Sequence, residues 1–342
     1  MNFRLLRVLV LGLSYLVLLE FFLEVRAHSR GFDTIFFGSV QRQSSSTTEN
    51  PRPPLKSGAA AASGATEKRT GETRYWIASS SHAEDIYLSR EMIFPTRLEK
   101  LLQKPGVSVA VINASHAGMD IEANRSDLES QGAIVRPDVV ILYQMSIQIN
   151  KLSKQLLSRR QSGSSREKSL DISKLKSQPS RIAQLYENTS LYALLKGNIS
   201  NRLTGQRVLA DSLGEQANLQ FETQVNEFVN SVRQIGAEPV LCTFATSHTQ
   251  RNMPDVPKEV TGFLFRYNVY LSLFGWFETI NNFNRILRRV AEEQHIRLVD
   301  LDVELSGRTE YFRDFVHFTP RGHEKVAEAI YLKLQSDPPQ KR

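Results

Sequence analysis

What most constrains this chain is a repeated pattern. Short runs rich in apolar and β-branched residues, at 74–79, 107–114, 139–145, 238–244 and 296–301, are separated by longer stretches with helical spacing. Runs without regular polar alternation suit strands buried on both faces, as in a parallel sheet. Parallel neighbours need crossovers of about a dozen residues or more, and the helical stretches between the runs supply them. Residues 94–102 place Leu98, Leu101 and Leu102 on such a stretch, closed by Pro105 and Gly106. Further helical segments are expected at 121–131, from 146 to about 157, within 181–235 and 259–293, and at 324–334. The pattern predicts an α/β fold: a three-layer sandwich with a central parallel sheet of about five strands and helices on both faces.

The ends of the chain read differently. Arg4 and Arg7 precede an apolar run at 8–19, extended by Phe21, Phe22 and Leu23 and interrupted by Glu20 and Glu24. The run is short for a span of roughly 20 residues. Residues 1–26 are read as a signal-anchor, with a signal peptide cleaved after Ala27 as the second reading and a buried helix as the third. Arg26 and Arg30 lie beyond the run, so the positive-inside rule leaves the orientation open. Residues 27–72 read as a flexible linker, because 40–72 are rich in Ser, Thr, Pro, Gly and Ala and poor in large apolar side chains. Residues 73–336 form the globular body, with a polar break at 158–180, and 337–342 a tail. This layout predicts a domain tethered to a membrane and held outside the cytoplasm, or secreted or periplasmic after cleavage. No repeat of 20–50 residues is present.

The charge balance is +7, from 43 basic and 36 acidic residues, with much of the surplus in the tail and linker. That suits mild affinity for anionic surfaces, and no nucleic-acid partner is expected. The single cysteine, Cys242, rules out an intramolecular disulfide and a cysteine zinc cluster. His82, His116, His248 and His323 lack metal-ligand spacing and are read as site-lining or surface residues; no metal and no cofactor is expected. Four glycosylation sequons begin at Asn113, Asn124, Asn188 and Asn198. The aromatics between Phe263 and Phe283 are read mainly as core, with a surplus that can meet a sugar or an acyl chain.

In open parallel sheets, ligands bind where strands end. Ser81, Gly118, residues 146–148 and His248 all follow strand runs. Near the C-terminus, Asp314 and His317 stand three residues apart on the loop into the last helix, where Thr319 suits the cap and Pro320 the first turn. A carboxylate there holds an imidazole in one tautomer and leaves its other nitrogen as a general base. The plainer reading is a polar surface loop.

Together, Ser79-Ser80-Ser81-His82-Ala83, Asn113-Ala114-Ser115-His116-Ala117-Gly118 and Asp314-x-x-His317 with Phe318-Thr319-Pro320-Arg321-Gly322 resemble the SGNH hydrolase superfamily, the GDSL-type esterases. The resemblance covers 73–336 and implies a flavodoxin-like three-layer fold. It implies Ser81 as nucleophile (Ser80 if the register slips by one), His317 as base, Asp314 as its orienting carboxylate and the Gly118 N–H as an oxyanion donor. Ser79 and Ser80 stand where the family has Gly and Asp. The third family block, Gly-x-Asn-Asp, has no counterpart in 143–150: Ile147 takes the Asn register, Asn150 comes too late, and Ser146 or Gln148 is left as substitute donor. Loss of one such donor costs on the order of 100- to 1000-fold in rate. The function implied is serine-dependent ester hydrolysis of the O-deacetylase type, on an ester-bearing substrate such as an O-acetylated polysaccharide. O-acyl transfer to a polysaccharide and a non-catalytic binding or assembly role are the alternatives.

Overall fold

Strands β1 (Glu72–Ala78), β2 (Ser108–Asn113), β3 (Val139–Leu142), β4 (Glu238–Cys242) and β5 (Arg297–Val299) pair in parallel, in the order β2-β1-β3-β4-β5. The computed structural model describes residues 68–164, 209–257 and 270–336, with scattered positions at 15–25 and 260–264. The all-parallel sheet of five strands is the one the apolar runs predict. Val139 to Leu142 are buried on both faces, which is why that strand carries no polar alternation.

Strand boundaries differ from expectation for a physical reason. β3 stops at Leu142 and β4 at Cys242, although the apolar runs continue to 145 and 244. Tyr143, Met145 and Phe244 are buried as loop residues beyond the sheet edge, so apolarity there records burial and not strand. β1 begins two residues earlier than its apolar run. It opens on half-buried polar residues and the buried Arg74, whose side chain donates to Glu72 (2.8 Å) and to the Val135 carbonyl (2.9 Å).

Among the described residues, the longer helices are α1 (Phe94–Leu102), α2 (Ile121–Val135), α3 (Ser146–Ser164), α4 (Glu215–Gln234), α5 (Leu273–Glu293) and α6 (Pro320–Ser336). The β1-to-β2 step runs one way along the sheet and every later step runs the other. Right-handed crossovers then place α1 on one face and α2, α4 and α5 on the opposite face. α6 follows β5 back to the first face and packs on α1, while α4 packs between α2 and α5. Phe221 of α4 and Phe283 of α5 stack 3.9 Å apart. α3 runs past its expected end at 157 to Ser164. Trp276, Phe277 and Phe283 are core, as read, whereas Phe274 is exposed and Phe263 lies outside the described residues. Strand order reverses at β1, and Ser81 follows that strand at the C-terminal edge, the switch point where such sheets bind ligands.

Among the described residues, no helix is long and apolar enough to cross a membrane. Most of residues 1–26, the stretch read as an anchor, lie outside the described residues, as do 27–67 and 337–342.

Candidate active site

β1 runs directly into three serines, and each makes a different contact. Ser79 Oγ donates to the Tyr143 carbonyl and is buried. Ser80 Oγ, 0% exposed, lies 2.9 Å from His82 Nδ1. Ser81 opens a single helical turn, Ser81–Glu84, and its Oγ lies 2.9 Å from His317 Nε2. The geometry therefore sets Ser81, and not Ser80, against the histidine of the C-terminal loop.

His317 Nδ1 lies 2.7 Å from Asp314 Oδ2. The other carboxylate oxygen accepts the backbone N–H groups of Val316 (2.9 Å) and His317 (2.8 Å). Burial works to raise the Asp314 carboxyl. The hydrogen bond and charge of His317, with the two backbone donors, outweigh it and hold the group below its ordinary value. An ionised carboxylate only accepts, so the proton sits on Nδ1 and the Nε2 lone pair faces the Ser81 hydroxyl.

The loop carrying the pair is held by aromatic plugs. Phe312 and Phe318 form an antiparallel bridge, and Arg313 N–H donates to the His317 carbonyl at 2.8 Å. Phe315 packs edge-on to Trp276 with centroids 5.1 Å apart, and its carbonyl accepts the Ser247 N–H at 3.0 Å. Phe312, Phe315 and Phe318 are buried and interleave with Asp314 and His317, which face the site. α6 begins at Pro320, and Thr319 Oγ1 caps it by accepting the Gly322 N–H at 3.2 Å.

A second carboxylate–imidazole pair lies beneath the first. Asp85 closes the Ser81 turn, and its Oδ2 is 3.2 Å from His323 Nε2 on α6. His323 Nδ1 accepts the Phe94 N–H at 3.1 Å, so Nε2 carries the proton and donates to Asp85. Arg313 also reaches Asp85, at 3.2 Å, and its guanidinium lies 5.0 Å from the Tyr87 ring centroid. Burial alone would raise the Asp85 carboxyl, but the His323 hydrogen bond and the Arg313 charge bring it below its ordinary value. This cluster ties the nucleophile turn, the Asp314 loop and α6 together. Sequence reading missed it: Asp85 carries no local signal, and His323, read as site-lining or surface, is fully buried.

The expected oxyanion donors separate. Gly118 sits in the loop after β2 with φ +88°, a left-handed conformation that suits glycine. That loop is held on both sides: Ala117 N–H donates to Glu84 (2.6 Å), and Gln144 Nε2 donates to the Met119 carbonyl (2.6 Å). Ser146, at the head of α3, places Oγ 3.3 Å from His82 Nε2. Gln148 is corrected. It is fully buried, its amide nitrogen donates to Gln224 of α4 (2.6 Å), and its amide oxygen accepts the Ile121 N–H of α2 (3.4 Å). Both ends of the amide brace the helix layer, so Gln148 is a strut and offers no donor to a ligand at Ser81.

His82, also read as site-lining or surface, is a buried neighbour of the base. Its ring stacks on His317 with centroids 5.3 Å apart and planes 19° apart, and meets Tyr143 and Phe244 edge-on. Burial, then the nearby charge of His317, push it down to about 3, so it is neutral at working pH. His116 stays half-exposed beside Glu84 (3.7 Å), and His248 is buried against Ser247 (2.9 Å).

No protein-family model and no curated protein matches the chain. Its fold is similar to that of solved structures. An acetyl xylan esterase is 15% identical, with 76% of this chain and 98% of that chain covered at a TM-score of 0.43. A lipase/acylhydrolase from Enterococcus faecalis is 14% identical, covering 79% and 100%, at 0.42. A catalytic variant of an acetylxylan esterase from Geobacillus stearothermophilus is 14% identical, covering 80% and 98%, at 0.45. Each TM-score lies below 0.5, so what the site does has to be argued from this chain's own residues.

Proposed function

We propose that this protein is a serine-dependent ester hydrolase of the SGNH type. One observation carries the reading: the unbroken line from Asp314 Oδ2 through His317 to Ser81 Oγ, with links of 2.7 and 2.9 Å. Ser81 Oγ attacks the ester carbonyl while His317 Nε2 takes its proton, and Asp314 stabilises the imidazolium that forms. The tetrahedral oxyanion is held by the backbone N–H groups of Ser81 and Gly118. His317 then protonates the departing alkoxide. Water, activated by the same nitrogen, releases the acid from the acyl-enzyme.

A fluorophosphonate probe tests this directly. The wild-type protein is expected to be labelled at Ser81, and His317→Ala to resist labelling because the hydroxyl has lost its base. A folded wild type that takes no label and does not turn over 4-nitrophenyl acetate would return the chain to a non-catalytic binding role.

The proposed substrate is an O-acetylated polysaccharide outside the cytoplasm. The location rests on residues 1–72, where a basic pair, an apolar run and a polar linker precede the domain, and the substrate class on that location together with the breadth of the SGNH family. Full-length protein should pellet with membranes and a chain starting near residue 70 should stay in the supernatant. Recovery in the soluble fraction of a chain shortened by residues 1–27 would point to cleavage after Ala27 instead.

A further inference from the structure

We infer that Ser80, His82 and Ser146 form a directed hydrogen-bond relay that turns the Ser146 hydroxyl proton toward the oxyanion. Ser146 thereby supplies the side-chain donor that the segment after β3 otherwise lacks. The inference rests on the esterase reading and names a further catalytic residue, Ser146, and two positioning residues, Ser80 and His82.

The direction of the relay follows from satisfaction of buried groups. Ser80 Oγ is fully buried, and a buried hydroxyl proton needs an acceptor. Its partner among the described residues is His82 Nδ1, at 2.9 Å. Nδ1 therefore accepts, and the proton of the neutral ring sits on Nε2. Nε2–H in turn donates to Ser146 Oγ at 3.3 Å. With its oxygen accepting from His82, Ser146 keeps its own O–H proton free to donate onward.

Placement makes that proton useful. Ser146 follows β3, the strand that pairs with β1, and β1 ends at the nucleophile turn. His82 is next in sequence to Ser81, and its ring stacks on the general base. Ser146 Oγ is thus one hydrogen bond from a ring that rests on His317. Because His82 stays neutral down to about 3, it does not compete for the proton that His317 takes from Ser81. Ile147, in the register of the family's Asn, is apolar, and Gln148 is spent on the helix layer, so Ser146 is the side chain of this segment left to serve.

The experiment compares fluorophosphonate labelling rate and 4-nitrophenyl acetate turnover across a small set of variants. Ser146→Ala is expected to lower kcat on the order of 100-fold with little change in KM, as for loss of one oxyanion donor. His82→Phe keeps a ring stacked on His317 but removes both nitrogens, and should cost a similar factor. The double variant should be no worse than either single one, because both remove the same interaction. His82→Gln, whose amide nitrogen reproduces the Nε2 donor, should recover most of the rate, which a packing role alone would not produce. Ser80→Ala deletes a single buried oxygen, so it tests the relay even if His82→Phe fails to fold; it should slow kcat several-fold. Wild-type rates in Ser146→Ala or Ser80→Ala, additive losses in the double variant, or no advantage of Gln over Phe would each overturn the relay. If Ser81→Ala and His317→Ala lose labelling while Ser146→Ala keeps it, the relay falls and the esterase reading stands. A wild type that never labels removes both.

Discussion

Asp314→Asn should leave the fold intact and reduce kcat by up to about 10,000-fold, the scale seen when a triad imidazole is left in the wrong tautomer. The carboxylate makes three contacts, to the backbone N–H groups of Val316 and His317 and to His317 Nδ1. The asparagine oxygen can keep the two backbone bonds, so the loop retains its shape. Its amide nitrogen then faces Nδ1, which must become an acceptor, and the ring proton moves to Nε2. Nε2–H points at Ser81 Oγ, 2.9 Å away, and can no longer take its proton. Labelling rate and ester turnover read the loss, and a melting curve reads the fold. Activity within tenfold of wild type would show that Asp314 is only a loop cap.

Gly322→Ala should damage stability and activity together. A Cβ at Gly322 would lie 2.0 Å from the Tyr311 carbonyl oxygen and 3.0 Å from Phe318 Cβ. The first obstacle is backbone, and it is already engaged, because the Tyr311 carbonyl accepts the Thr319 N–H at 2.9 Å. Relief requires α6 to move away from the loop that carries Asp314 and His317. Overpacking of this kind costs typically about 1–3 kcal/mol, and a backbone obstacle puts this site at or above the upper end. Urea denaturation should show a lower midpoint, and labelling should slow because His317 shifts against Ser81. An unchanged midpoint with full labelling would mean that α6 does not approach Tyr311 this closely.

Several parts of this site were legible in single residues. Thr319 and Pro320 start α6 where cap and first-turn preferences place them, and the Asp314–His317 spacing lets a carboxylate reach the near nitrogen of a ring one turn on. Gly118 follows β2, as its place after an apolar run suggested, and there takes a positive φ. These signals are local: they depend on a few neighbours and on the short-range geometry of the backbone. Gln148 shows the opposite case. Its polarity made it a donor in the sequence, yet its partners come from α2 and α4, 27 and 76 residues away, and they turn its amide into the helix layer.

The sequence by itself determined the parallel α/β sheet, because each strand's run is apolar without polar alternation, and in the central β3 that run is buried on both faces. It also determined that Asp314 and His317 could act as a pair, because they lie three residues apart. Only the tertiary structure decided which of three consecutive serines meets His317, since that contact joins positions 236 residues apart and depends on how β1 leaves the sheet. The same holds for His82 against His317 and for Asp85 with His323 and Arg313. A polar side chain's partner is set by what packing brings within about 3 Å, and periodicity along the chain carries no record of that.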